Sequence, residues 1–143
     1  MVVRVLVVDD QPAFLRAMVA VVTESPGFVV VDRAGSGEQA LEVAAESRPD
    51  LVLMDVNLPG IDGMECTRRL LAAGLDVVVL LVSTYDEDDV GEEATECGAS
   101  GYVAKSAFAP ERLAAEWADA RSAGEAGRAA ETWRIESSAD TFT

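Results

Sequence analysis

VVRVLVVDDQP, residues 2–12, joins a nearly unbroken apolar run to two acidic residues and a proline. The apolar run predicts a strand that is buried on both faces, as the strands of parallel sheets are. The proline predicts that a helix begins directly after the acidic pair and runs to about Thr23. The apolar residues of that helix recur at helical spacing, namely Phe14, Leu15, Met18, Val21 and Val22. This stretch is therefore interpreted as a strand that passes at once into a helix.

The same alternation of strand and helix continues to residue 123. Further strands are predicted at 28–31, 51–54, 77–82 and 102–104, and further helices at 38–46, 64–73, 85–96 and 110–123. We therefore expect an α/β fold with a doubly wound, five-stranded parallel sheet and five helices. Beyond residue 123 the periodicity is lost while Gly, Ser and Thr increase, which predicts a domain at 1–123 and a frayed or disordered tail at 124–143.

The charge and residue content of the chain argue against several classes of function. The chain has 143 residues, enough for one domain, and its net charge of −15 disfavours binding to nucleic acid or to an anionic membrane surface. Cys66 and Cys97 fall in separate predicted helices and the chain has no histidine, so we expect buried, reduced thiols and no zinc site. The chain has no stretch of about 18 apolar residues and no signal-peptide pattern, which predicts a cytoplasmic protein without a membrane span.

Four of the predicted strands end on residues that phosphoryl chemistry can use. Asp9 and Asp10 follow the first strand, Asp55 the third, Ser83 the fourth and Lys105 the fifth. The carboxyl ends of parallel strands open onto a common crevice, so we expect these side chains to form one site. The lysine is the only one in the chain, which makes its position at a strand end informative.

The acidic residues predict an acyl-phosphate chemistry that depends on a metal ion. A strand-end carboxylate such as Asp55 can attack a phosphoryl group, although its own charge repels the phosphate oxygens. Mg²⁺ relieves that repulsion and binds one or two protein carboxylates, which Asp10 and Asp55 can supply while Asp9 orients a bound water. The backbone carbonyl of Asn57 is a further candidate ligand.

The remaining two residues can interact with the phosphoryl group itself. Lys105 would offset charge on the acyl phosphate, and the Ser83 hydroxyl would donate to a phosphoryl oxygen. Each residue also has a purely structural interpretation: Asp9, Asp10 and Ser83 as helix caps, Asp55 as a turn former, and Lys105 as a solvated surface group. The concentration of all of them at strand ends favours the functional interpretation.

The chain resembles the receiver domain of two-component response regulators over residues 2–123. The resemblance is carried by VLVVDDQP, LVLMDVNLPGIDGME, LLVSTYDE and GASGYVAKSA. It implies a flavodoxin-like (CheY-like) fold with strand order 2-1-3-4-5, and phosphoryl transfer from a histidine kinase or phosphotransfer protein to Asp55 with Mg²⁺. It further implies metal-binding roles for Asp9, Asp10 and Asn57, and phosphate-binding roles for Ser83 and Lys105.

The resemblance also implies a switch. Tyr102 falls at the family's aromatic switch position, and in that family phosphorylation draws the hydroxyl residue, here Ser83, toward the phosphate while the aromatic ring turns inward. The output face would comprise the fourth helix, the last strand and the last helix, about Asp88–Ala123. Its partner would be a downstream output protein or a second copy of the chain.

Two departures from the common receiver pattern matter. Many receivers follow the lysine with a cis proline, whereas Ser106 stands here. Two sequence segments, DDQPAFLRAMVAVV and GFVVVDRAGSGEQAL, resemble those of the NarL/LuxR-type subgroup. Members of that subgroup usually have an additional helix-turn-helix domain. The residues after Gly124 are too few and too acidic to form one. A stand-alone receiver and the receiver part of a longer transcription regulator both stay open.

Competing classes fit less well. A phosphatase of the haloacid dehalogenase class needs a second acid two residues after its nucleophile, and Asn57 occupies that position. A flavin-binding protein of this fold needs a phosphate-cradling loop after the first strand, where Asp9 and Asp10 would repel phosphate. We therefore expect a protein that is not an enzyme, apart from catalysing its own phosphorylation and dephosphorylation. A non-phosphorylated interaction module stays open as an alternative.

Overall fold

The computed structural model of the chain describes residues 2–84, 93–94 and 96–123. Its strands are β1 Val3–Val8, β2 Phe28–Ala34, β3 Leu51–Asp55, β4 Val78–Ser83 and β5 Gly101–Ala104. Its helices are α1 Pro12–Glu24, α2 Gly37–Ser47, α3 Gly63–Ala72 and a last helix at 110–123. A single 3₁₀ turn, Lys105–Ala107, directly follows β5.

The strands form one parallel sheet in the order β2-β1-β3-β4-β5, which confirms the predicted fold class and order. The helix count differs slightly from the predicted five, because four helices lie in the described part of the chain. Most of the predicted helix at 85–96, with its acidic run Asp86–Asp89, lies outside the described residues, although residues 93, 94 and 96 are helical. The predicted tail also lies outside them, so the domain boundary at 123 stays a prediction.

Strand β2 is three residues longer than the sequence predicted. It continues through Asp32 and Arg33 to Ala34, because both charged side chains reach solvent at the edge of the sheet. The pairing with β1 shifts register between Val5 and Leu6, where a bulge accommodates the extra residue. The charged pair therefore lies within the strand and does not end it.

Two apolar cores lie on the two faces of the sheet, since successive strand residues point to opposite sides. Leu6 and Val8 of β1 belong to the core that packs against α2 and α3. Val5 and Val7 belong to the core under α1 and the last helix, which contributes Leu113. A sheet covered on both faces explains why its central strands are apolar throughout.

Both cysteines are free and buried, as predicted. Burial raises the pKa of the Cys66 thiol to about 11, so this thiol stays protonated and unreactive at neutral pH. None of the helices within the described ranges has the length and apolar character that a membrane span requires.

Capping residues set the starts of the helices that flank the site. The Ser36 hydroxyl accepts the N–H of Gln39 at the start of α2, and the Asp62 carboxylate accepts the N–H of Glu65 at the start of α3. In contrast, the N-cap of α1 is Gln11, and it makes no side-chain cap bond. The structural interpretation of the acidic pair at 9 and 10 as caps of α1 is therefore wrong.

Candidate functional site

The sheet brings the predicted site residues together at the carboxyl ends of its strands. Asp55 is the last residue of β3 and Ser83 the last of β4, while Asp9 directly follows β1 and Lys105 directly follows β5. Asp9, Asp55 and Ser83 are almost completely buried, whereas Asp10 is exposed. The site thus combines two buried carboxylates and a buried hydroxyl with one carboxylate that is exposed to solvent.

Three carboxylates form a compact acidic cluster. One carboxylate oxygen from each of Asp9, Asp10 and Asp55 lies within 4.8 Å of the others, close enough to share one metal ion. Oδ1 of Asp9 accepts the N–H of Gln11 at 2.9 Å, whereas the buried Oδ2 lies beside the Lys105 ammonium without an aligned hydrogen bond. Three carboxylates this close together, one of them with a buried oxygen that makes no aligned hydrogen bond, fit an oxygen-binding cation such as Mg²⁺.

Lys105 supplies the single positive charge that contacts this cluster within the described chain. Its Nζ lies 2.9 Å from Oδ2 of Asp9 and 3.7 Å from Oδ2 of Asp55. The shorter contact is an ion pair that lacks the alignment of a hydrogen bond. The lysine side chain is only 9% exposed, so its interpretation as a solvated surface group is wrong.

The pKa of the Asp55 carboxyl is raised from 3.8 to about 6, first by burial and then by the neighbouring Asp9 carboxylate. Lys105 and the backbone N–H of Asn57 lower this pKa, and Asp10 adds a smaller upward effect. The rise shows that the positive charge near Asp55 does not compensate for desolvation and repulsion. An added cation would therefore find an electrostatically favourable position here.

The loop after β3 is held in place by close packing at its glycines. A Cβ atom on Gly63 would overlap the carbonyl oxygen of Asp55, so the start of α3 lies directly against the end of β3. On the other side of the loop, Oε1 of Glu38 accepts the N–H of Ile61 at 3.0 Å. This hydrogen bond holds the pKa of the Glu38 carboxyl below its usual range. The loop is therefore fixed to both α2 and β3.

Two of the predicted residues lie at the margin of this arrangement. Asn57 is exposed, and its backbone N–H donates to Oδ1 of Asp55 at 3.3 Å. Tyr102 is buried in the core beneath α2 and α3, three residues before Lys105. Their predicted roles as a metal ligand and as a switch stay predictions.

Sequence reasoning missed one residue of the site. The ring centroid of Phe14 lies 3.9 Å from Nζ of Lys105. The sequence pattern placed Phe14 among the apolar residues of α1, and 38% of it is exposed in the structure. No sequence signal connects α1 with the end of β5, because the contact depends on how the two elements pack.

The family model described as "Response regulator receiver domain" matches residues 5–118. The chain belongs to this family. The response regulator GacA of Pseudomonas viridiflava is 41% identical over 113 residues, which are 79% of this chain and 53% of the GacA sequence. The nitrate/nitrite response regulator NarL of Escherichia coli K12 is 37% identical over 103 residues, which are 71% of this chain and 47% of NarL. This receiver domain thus spans about half the length of the curated relatives it matches.

Solved structures agree with this assignment. The signal receiver domain of the response regulator NarL from Mycobacterium tuberculosis superposes with a TM-score of 0.77 at 33% identity, covering 84% of this chain and 97% of that one. The chemotaxis response regulator CheY4 of Vibrio cholerae gives a TM-score of 0.70 at 28% identity, and the match covers 84% of this chain and 99% of the CheY4 chain. The predicted resemblance to the NarL/LuxR-type subgroup is therefore confirmed.

Proposed function

We propose that this receiver domain accepts a phosphoryl group on Asp55 from a histidine kinase or a phosphotransfer protein. The observation that carries the proposal is the position of a buried carboxylate with a raised pKa between two acidic residues and one lysine. The position of Asp55 at a strand end, at the edge where this fold places ligands, further supports it.

Asp9, Asp10 and Asp55 would hold Mg²⁺, with the backbone carbonyl of Asn57 as a further ligand. The cluster has three carboxylates and one ammonium, which pairs with Asp9 and Asp55, so two negative charges stay uncompensated when all the groups are ionised. Bound Mg²⁺ supplies the positive charge that lets an anionic phosphoryl group approach. The buried Oδ2 of Asp9, which makes no aligned hydrogen bond, supports this ligand set.

The chemical step is a transfer between two nucleophiles. A carboxylate oxygen of Asp55 forms a bond to phosphorus as the bond from phosphorus to the donor's imidazole nitrogen breaks, and that nitrogen keeps the electron pair. Lys105 would then shift from its ion pair with Asp9 to a phosphoryl oxygen. The Ser83 hydroxyl would donate to another phosphoryl oxygen.

The switch would follow from these new contacts. As Ser83 approaches the phosphoryl group, the burial of Tyr102 would be stabilised, and the face formed by about 88–123 would change its binding properties. Tyr102 is already buried in this structure, so its inward position is available to the unphosphorylated chain. A downstream output protein or a second copy of the chain would bind this face.

A second proposal concerns the protein around this domain. The match to only about half the length of the GacA and NarL sequences favours the receiver part of a longer helix-turn-helix transcription regulator over a stand-alone receiver. In either case the chain would act in the cytoplasm and catalyse only its own phosphorylation and dephosphorylation. A non-phosphorylated interaction module is disfavoured, because each chemical position of the family is filled by a suitable residue.

A test of the phosphoryl site is the binding of beryllofluoride, a phosphoryl mimic that needs both a free carboxylate and Mg²⁺. We expect ¹⁹F NMR signals of bound fluoride with the wild-type protein and Mg²⁺, and none with Asp55→Asn. Asp62→Asn is the matched control, because it removes one charge from the same loop while asparagine still caps α3. Equal signals from the Asp55→Asn variant would contradict the proposal, as would their absence from the wild type.

A further inference from the structure

The ring of Phe14 lies over the ammonium group of Lys105. The distance from Nζ to the ring centroid is 3.9 Å, well inside the range of about 6 Å for cation–π contacts. Phe14 is one of three large apolar residues that stay exposed in the described structure, at 38%. Burial in the core therefore does not account for the position of this side chain beside Lys105.

Among the described residues, the ammonium group makes three charged or aromatic contacts. Two are the carboxylates of Asp9 and Asp55, at 2.9 and 3.7 Å, and the third is the aromatic face of Phe14. The two ion pairs hold the ammonium near the carboxylates, but the flexible four-carbon stem leaves its exact direction open. The ring covers the ammonium with a surface that attracts a cation without neutralising it.

The same ring borders the lysine on its apolar side. Phe14 and Met18 of α1, Val82 of β4, and Lys105 and Phe108 after β5 line a small cavity of about 60 Å³. The first turns of α1 and the turn after β5 therefore meet at the lysine. A change of side chain at position 14 alters the surroundings of the stem and of the charged head together.

We propose that Phe14 is a positioning residue that holds the Lys105 ammonium beside Asp9 and Asp55, where it is ready to contact a phosphoryl oxygen. The inference rests on the proposed function, since it concerns how that site reaches its working geometry. Phe14 itself does not touch the phosphoryl group and acts through the lysine. Loss of the ring loosens the ammonium within its ion pairs, and phosphorylation slows by about 2- to 30-fold, the range expected for one cation–π contact.

The contact is tested first without any phosphodonor. Lys105 is the only lysine in the chain, so protein labelled with ¹³C-lysine gives a single ε-methylene signal in a proton–carbon NMR spectrum. A position over the ring shifts that proton signal upfield in the wild type. We expect the shift to be lost in Phe14→Leu and kept in Phe14→Tyr.

Phe28→Leu is the matched control for the loss of an aromatic ring. Phe28 contacts Trp117 at a ring distance of 6.4 Å and begins β2, at the other end of the sheet. This variant should therefore keep the upfield signal. If Phe14→Leu also keeps it, the contact with Lys105 is absent and the proposal is overturned.

The second measurement is the rate of phosphorylation by acetyl phosphate with Mg²⁺. We expect a rate about 2- to 30-fold lower in Phe14→Leu and close to the wild-type rate in Phe14→Tyr and Phe28→Leu. A lost NMR shift with an unchanged rate would overturn the positioning role, and so would an equal loss of rate in Phe28→Leu. A wild-type protein that takes up no phosphoryl group would overturn the proposed function instead, and with it any role of Phe14 in phosphorylation.

Discussion

Nζ of Lys105 lies 2.9 Å from Oδ2 of Asp9 and 3.7 Å from Oδ2 of Asp55. The lysine is therefore paired mainly with Asp9, and its attraction to the more distant Asp55 carboxylate is weaker. Burial and the Asp9 carboxylate raise the pKa of Asp55 to about 6 in this arrangement. The residue proposed to carry the phosphoryl group thus lies in surroundings that are short of positive charge.

Asp55→Asn should stabilise the metal-free protein at pH 7. The substitution keeps the shape of the side chain and removes a buried negative charge that Asp9 repels. A pKa raised from 3.8 to about 6 corresponds to at most about 3 kcal/mol, so we expect a gain of about 1–3 kcal/mol. Urea unfolding in the presence of a chelator measures this gain. Asp62→Asn should change stability by less than about 0.5 kcal/mol, and a destabilised Asp55→Asn would contradict the electrostatic account.

The stability of the metal-free protein should depend on pH through Asp55. Its folded-state pKa of about 6 exceeds the ordinary value of 3.8, so the folded protein binds more protons than the unfolded one between these values. The resulting stabilisation is fully present below pH 3.8 and is lost as the pH rises through about 6. The difference in unfolding free energy between Asp55→Asn and wild type isolates this effect, and it should increase from pH 4 to pH 7. A constant difference would show that the pKa of Asp55 is not raised.

Lys105→Met should destabilise the metal-free protein and strengthen its response to Mg²⁺. Removing the ammonium leaves buried Asp9 without its ion-pair partner, which costs about 3–5 kcal/mol. Mg²⁺ at ten times its dissociation constant stabilises a protein by about 1.4 kcal/mol. At a fixed Mg²⁺ concentration, we expect a larger increase in melting temperature for Lys105→Met than for wild type. An increase that is smaller than in the wild type would show that the lysine does not compete with the metal for the carboxylates.

Gly63→Ala should disturb the end of β3. A Cβ atom at this position would overlap the carbonyl oxygen of Asp55, so either the strand end or the start of α3 must shift. Overpacking of this kind costs about 1–3 kcal/mol, and we expect slower phosphorylation as Asp55 is displaced. Gly35→Ala is the control, because the nearest atom to its Cβ would be 3.8 Å away. If both variants unfold at the same urea concentration, the close approach at Gly63 does not matter.

The sequence predicted the strands well, because each is a short apolar run that ends on a polar or charged residue. The sequence therefore predicts Asp9, Asp55 and Lys105 at strand ends, where the structure has them. The length of β2 was underestimated, since Asp32 and Arg33 read as a strand end although an edge strand tolerates charge. The contact of Phe14 with the lysine was missed, because it depends on side-chain geometry between two elements distant in sequence.

The most direct test of the central claim is the intact mass of the protein after incubation with acetyl phosphate and Mg²⁺. Wild type and Asp62→Asn should each gain one phosphoryl group, and a chelator should prevent the gain. Asp55→Asn should gain none while remaining folded. Undiminished labelling of Asp55→Asn, or labelling that persists in the presence of the chelator, would contradict a metal-dependent phosphoryl site at Asp55.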